Sequence, residues 1–232
     1  MHFWVGSFCY VLDNVRRTVF PRGVIAISDI ITIVEDAGNQ IPDKSWMLYL
    51  LELFNIQDVA VELNLICQFD DQDYFEAIFR GVNQYRFRKV LPIVGHSYLR
   101  QITMNSQTCS ISYLLNDSNT GLKERFDLPI DKKFKFEGLN QFTGIEWWNK
   151  IGNFPYPIRY HVEISQLLYG VAVDTRDLES ITYAPYEVLV PTNEGTTARY
   201  PISFYETRIE ADGYLHFKIG SGICGTGMRY NC

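Results

Sequence analysis

The sequence predicts an all-β protein: an antiparallel two-sheet sandwich of jelly-roll or lectin-like type, with one or two short helices. Three observations carry that expectation. The dominant hydrophobic period is two rather than 3.6, the pattern of strands with one face buried. The runs are short and divided by clusters of Gly, Asn, Asp and Pro, the residues of tight turns. The 232 residues include 15 Phe, 15 Tyr and 4 Trp, and aromatic side chains fit a pleated, half-buried surface. That length buries a sizeable core without disulfide or metal staples. No linker, repeat or low-complexity tract divides it, so residues 1–232 read as one domain.

Along the chain, Met1 to Arg17 lacks the basic lead and small-residue cleavage site of a signal peptide, and Met1 to Leu12 is too apolar to hang free in water. Val24–Val34 reads as a strand. Trp46–Phe54 is the best helical candidate, with Ser45 as its cap, although a buried strand of that length shows the same apolar run. Along Val59–Phe69, Val59, Val61, Leu63, Leu65, Cys67 and Phe69 share one face, and Glu62, Asn64 and Gln68 share the other. Asp73–Phe79 reads as one or two helical turns after an acidic loop. Tyr85–Val94 and Tyr98–Met104 read as strands. Ile111, Tyr113 and Leu115 alternate before the polar run Asn116 to Gly121, and Leu122, Glu124, Phe126 and Leu128 resume after it, which is a hairpin. Thr143–Trp148 is a further strand. Ile158, Tyr160, Val162 and Ile164 then alternate with Arg159, His161, Glu163 and Ser165. Ile181–Val190, Ile202–Ile209 and Tyr214–Ile219 complete the set, the last two joined through Asp212-Gly213.

Charge and motifs exclude several classes. Twenty-one basic against 27 acidic residues leave a net charge of −6, without the basic footprint of a nucleic-acid binder. No run approaches the roughly 18 apolar residues of a membrane-spanning helix. Gly220-Ser221-Gly222-Ile223-Cys224-Gly225 spells a dinucleotide fingerprint. Only seven residues come after it, too few for the helix that would hold a pyrophosphate. The five cysteines show no zinc spacing. Cys67 and Cys109, in strand-like runs, read as buried free thiols, while Cys224 and Cys232 have a spacing that permits pairing.

The densest site candidate is Thr143 to Tyr160. Adjacent Trp147 and Trp148 point to opposite faces of a strand, so one lies free to line a groove. Sugars present apolar faces edged with hydroxyls, and aromatics beside polar groups complement them. Trp147, Trp148, Tyr156, Arg159 and His161 are therefore the candidate ligand-binding set. The leading expectation is a non-catalytic glycan-binding protein, whose partners are a glycan or copies of itself, at an extracellular or particle surface. One alternative is a structural subunit of a coat, filament or viral particle, resting on the apolar N-terminal strip. The other is a glycoside hydrolase or lyase, with Glu146 and Glu163 as its paired carboxylates. The sequence calls for no cofactor except through Asp70, Asp71 and Asp73, a loop cluster with oxygen ligands suited to calcium.

Overall fold

A computed structural model describes residues 2–13, 16–18, 24–35, 45–54, 60–68, 72–80, 83–105, 107–131, 133–136, 139–149, 160–172, 181–185, 188–194, 202–209 and 215–221. In chain order the strands are β1 (His2–Asp13), β2 (Arg16–Thr18), β3 (Val24–Glu35), β4 (Ser45–Phe54), β5 (Ala60–Gln68), β6 (Tyr74–Phe79), β7 (Asn83–Arg86) and β8 (Ser97–Asn105). They continue as β9 (Ser110–Asp117), β10 (Lys123–Pro129), β11 (Asn140–Asn149), β12 (Tyr160–Ala172), β13 (Ile181–Pro185), β14 (Val188–Glu194), β15 (Ile202–Ile209) and β16 (Leu215–Ser221). The first sheet runs β14-β1-β11-β4-β5-β6-β7, with β2 beside β1. The second runs β10-β9-β8-β3-β12-β16-β15, with β13 beside β12. The fold is the all-β, antiparallel two-sheet sandwich that the period-two patterning implies.

The core lies between the sheets. Tyr49, Leu51, Leu53, Val61, Leu63, Leu65 and Phe75 of the first sheet meet Ile25, Ile27, Ile31, Tyr98, Ile102 and Tyr113 of the second. Aromatic contacts fill it: Tyr85 stacks on Phe126 with centroids 4.2 Å apart, and Phe75 tilts against Tyr98 at 4.9 Å. Cys67 and Cys109 form no disulfide, Cys67 being buried and Cys109 half-buried.

Both helix candidates are strands, and among the described residues there is no helix. Trp46–Phe54 is β4, flanked by β11 and β5. Its odd positions Tyr49, Leu51 and Leu53 enter the core, while Leu48 and Leu50 join a second apolar cluster with Ile66 and Phe142. A strand buried on both faces loses its alternation and looks like a buried helix. Asp73–Phe79 contains β6, with Phe75, Ala77 and Phe79 in the core. The expected strand Ile181–Val190 is two strands, β13 in the second sheet and β14 in the first.

The strand expected over Tyr85–Val94 stops at Arg86. Glu124 of β10 accounts for that early end. Its carboxylate accepts the backbone N–H groups of Arg88, Lys89 and Val90 at 2.7–3.3 Å, and the Tyr85 hydroxyl at 3.0 Å. Burial alone would raise its pKa, but these hydrogen bonds hold it below the ordinary glutamate value. A carboxyl with a depressed folded pKa stabilises above its unfolded pKa, and that contribution is lost as pH falls through the folded value. Glu124→Gln is expected to cost about 1.5–3 kcal/mol near neutrality, since hydrogen bonds to a charged acceptor are the strong ones. The deficit should shrink in acid, where the wild-type carboxyl is also neutral. Urea melts of both proteins at neutral and acid pH check this.

Strand β12 shifts register against β3 at three points, and the middle one reverses its alternation. Val162 and Ile164 are buried at even positions, Leu167 at an odd one. Between them the register against β3 shifts, and Gln166 has φ of 50°. That bulge turns the alternation over and keeps both halves of the strand facing the core.

Candidate functional site

The face of the first sheet turned away from the core is not a solvated polar surface. Leu48, Leu50, Ile66 and Phe142 are buried there, with Phe54 and Tyr74 packed against them. The polar residues of β5 and its neighbours share this face. Glu62 stands directly opposite Glu52 of β4, and Asn64 directly opposite Glu76 of β6. Glu52, Glu62 and Glu76 are half-buried, whereas Asn64 is 0% exposed. Like charges directly opposite each other across adjacent strands are destabilising. Burial lifts the Glu76 carboxyl above its ordinary pKa, against the pull of Arg86. Arg86 itself lies 3.8 Å over the Tyr74 ring.

Asn64 is the centre of this set. Its Nδ2 donates to Glu62 Oε2 at 2.6 Å. A carboxylate only accepts, so the contact fixes which end of the amide is nitrogen. The other end, Oδ1, is buried and has no hydrogen-bond partner. A buried acceptor left unpaired costs about 1–3 kcal/mol, and native structures commonly satisfy such an atom with water.

Behind Asn64, the second sheet reaches through the core. Arg100 of β8 is 0% exposed and lies opposite Asp29 of β3, also 0% exposed. Nε and Nη2 of Arg100 hold the Asp29 carboxylate at 2.9 and 2.6 Å. Its Nη1 crosses to the first sheet and donates to Tyr49 O at 2.7 Å and Leu63 O at 3.0 Å. The β4–β5 pairing lapses at this point: Cα partners run to Tyr49↔Leu65 and resume at Glu52↔Glu62. Thr143 Oγ1 of β11 donates to Leu50 O in the same gap, at 3.1 Å. Burial pushes the Asp29 carboxyl up in pKa, and Arg100 draws it back only in part.

The sequence candidates fall around this face unevenly. Glu146 is on β11, opposite Leu48 of β4, which is itself opposite Ile66 of β5. Asn64 is two residues from Ile66, so Glu146 and Asn64 occupy one sheet with β4 between them. Trp147 pairs with Phe3 and Met47, and Trp148 with His2 and Trp46. Glu163 is on β12 of the second sheet, opposite Thr32 and Lys218, so the two proposed carboxylates do not share a sheet. His161 is also on β12, opposite Glu35 and Gly220. Tyr156, Arg159, Asp70 and Asp71 lie outside the described residues, and Asp73 is half-buried just before β6. Among the described residues no three His, Cys, Asp or Glu side chains gather as a metal site, and no helix is long and apolar enough to cross a membrane. The apolar N-terminal strip is β1, paired with β11 on one side and β14 and β2 on the other.

Sequence reasoning placed Glu62 and Asn64 on one face but took that face for solvent. It missed Asp29 and Arg100, because a lone charge in a strand normally marks the outside. A signal was present in Asp29, which falls at an odd position between Ile27 and Ile31, on the face that alternation assigns to the core.

No family description and no curated protein matches the chain. Solved structures do. Scytalido-glutamic peptidase with a transition state analog inhibitor has a TM-score of 0.57 at 11% identity, over 94% of this chain and 98% of its own. Scytalido-glutamic peptidase with a peptide based transition state analog has a TM-score of 0.56 at 9% identity, over the same shares. Peanut lectin has a TM-score of 0.35 over 55% of this chain and 66% of its own, too slight a likeness to carry an argument. The glycan-binding expectation is thereby corrected: the proteins whose fold matches along nearly the whole chain are peptidases, not lectins. At these identities the likeness shows the fold, a β-sandwich of two antiparallel sheets.

Proposed function

We propose that this chain is a peptidase that uses a glutamate as general base, on the outward face of the first sheet. One observation carries the reading: a fully buried amide, Asn64, held by the Glu62 carboxylate and left with an unpartnered oxygen, among glutamates in a fold matched by glutamic peptidases. Peptide hydrolysis needs a base that takes a proton from water and a group that positions that water. Asn64 Oδ1 is the acceptor that positions it. Glu62 is engaged in orienting Asn64, and Glu76 lies against Arg86. Glu52 stands opposite Glu62 at the other end of the gap, and the base is assigned to Glu146, on the strand beyond β4, in register with Leu48 and Ile66 of this face. Its carboxylate takes one proton of the water as the oxygen attacks the peptide carbonyl carbon. The same proton is then delivered to the leaving amine nitrogen as the C–N bond breaks.

The test is to incubate the purified chain with a quenched-fluorescence peptide library from acid to neutral pH, reading products by mass spectrometry. Internal peptide cleavage, blocked by a peptide-based transition-state analogue, is the expected result. A folded protein that neither cleaves any member nor is stabilised thermally by the analogue would rule the proposal out.

A further inference from the structure

We propose that Arg100 is a positioning residue for Asn64, a brace from the opposite sheet that sets the direction of the site amide. The inference rests on the reading of Asn64 as part of a peptidase site, and deepens it.

The geometry is specific. The two carbonyls that Arg100 Nη1 holds belong to Tyr49 and Leu63, the residues immediately before Leu50 and Asn64. A peptide unit is planar. Fixing Leu63 O therefore fixes the plane that carries the Asn64 nitrogen, and with it the direction in which the Asn64 side chain leaves the strand. The brace acts where β4 and β5 are not paired with each other: there Leu63 and Asn64 are laddered only to β6, and Leu50 and Leu51 only to β11, so Arg100 holds the side of β5 that its ladder leaves open. Thr143 holds Leu50 O from β11 in the same gap, so between β4 and β5 side chains stand in for the missing pairing.

The chemistry suits arginine alone. Two N–H groups go to the Asp29 carboxylate as a fork, and Nη1 supplies two more to separate carbonyls. Lysine has no planar fork and cannot serve both sides at these positions. A buried ion pair is weak evidence for stability, since well-packed apolar residues of similar volume commonly do as well. Here two directional bonds from one guanidinium, itself held by Asp29, converge on one gap in one ladder, directly behind the amide with the orphan oxygen. Asp29 completes the device: it neutralises the guanidinium and orients it, and has no other part in the site.

Two variants test this: Arg100→Lys, which keeps the charge opposite Asp29, and the double variant Arg100→Met with Asp29→Asn, which leaves no unpaired charge. Tyr113→Phe is the control, as it deletes a buried hydrogen bond to Ile78 O on the far side of β5. Near-ultraviolet dichroism reports folding. Proton–nitrogen correlation spectra report the Asn64 side-chain amide. Steady-state kinetics on a cleaved peptide separate kcat from KM. The Asn64 resonances are expected to move in both Arg100 variants and not in the control. The kcat should fall about 10- to 100-fold with KM held within about 2-fold, the effect of a small misplacement at a reacting group. Unchanged Asn64 resonances in a folded Arg100 variant would overturn the proposal, as would an equal kcat loss in the control. If the wild-type chain cleaves no peptide, the peptidase reading falls, and the Asn64 resonances alone decide whether the brace exists.

Discussion

Glu146→Gln is expected to lower kcat by about 10²- to 10⁴-fold while leaving KM near the wild-type value. General-base catalysis contributes about that much, and glutamine keeps the shape of glutamate without its basicity. A loss confined to kcat is the mark of an interaction made in the transition state rather than in the bound substrate. Glu163→Gln is the informative contrast. Glu163 alternates with the core residues Val162 and Ile164 on the second sheet, on the opposite side of the sandwich from Asn64, and its variant should cleave as wild type does. The two glutamates stand in similar sequence settings, each in an alternating strand rich in aromatics, so the pair isolates what sheet placement contributes. Kinetics of both variants on one peptide decide it. Equal losses would point to a fold defect, and a loss in Glu163→Gln alone would move the site to the other sheet.

Much of this architecture is legible in the residues, for a physical reason. Strands with one buried face print a period of two, and β3, β5, β8, β9, β10 and β15 fall within a residue or two of where that period places them. Legibility fails where a second influence acts on the same residues. β4 is apolar on both faces, because its outward face carries a cluster of its own, and its sequence does not separate strand from helix. β12 reverses its alternation at Gln166, a bulge that no composition rule foretells. The segment after Arg86 has strand-like residues, but its N–H groups are taken by Glu124, far along the chain.

The site was legible in the same uneven way. Glu146 stood out because aromatics surround it in sequence, a local signal. Asn64 and Glu62 were visible as the polar face of β5, but their burial depends on Leu48, Leu50 and Phe142 of other strands. Arg100 carried only the faint signal that Asp29 carried, a same-face position between Tyr98 and Ile102; its pairing with Asp29 comes from the β3–β8 register, and its contacts to Tyr49 and Leu63 come only from the stacking of the two sheets. Side-chain clusters drawn from several strands are by nature the part of a β-sandwich that single-sequence patterning reads last.

The brace also sets the largest stability effect expected in this molecule. Arg100→Met, with Asp29 left in place, should lose about 3–5 kcal/mol, the usual result of stranding one charge of a buried pair. For a chain of this size that corresponds to a fall in Tm of about 6–20 °C. The deficit comes chiefly from Asp29, which is 0% exposed and would keep no cationic partner within reach of its two oxygens. Its pH dependence has a definite sign. Burial already raises the Asp29 pKa in the intact protein, and Arg100 is what draws it down. Without Arg100 it rises further. A carboxyl whose folded pKa lies above its unfolded value destabilises at neutral pH and is relieved as pH falls through the folded value. The gap between variant and wild type should therefore narrow in acid, whereas the loss arising from Glu124 is common to both and cancels in the difference. Adding Asp29→Asn should recover part of the stability at neutral pH and abolish the narrowing. A deficit that is the same at every pH, and untouched by Asp29→Asn, would mean that lost packing around the guanidinium, and not the stranded charge, accounts for the effect.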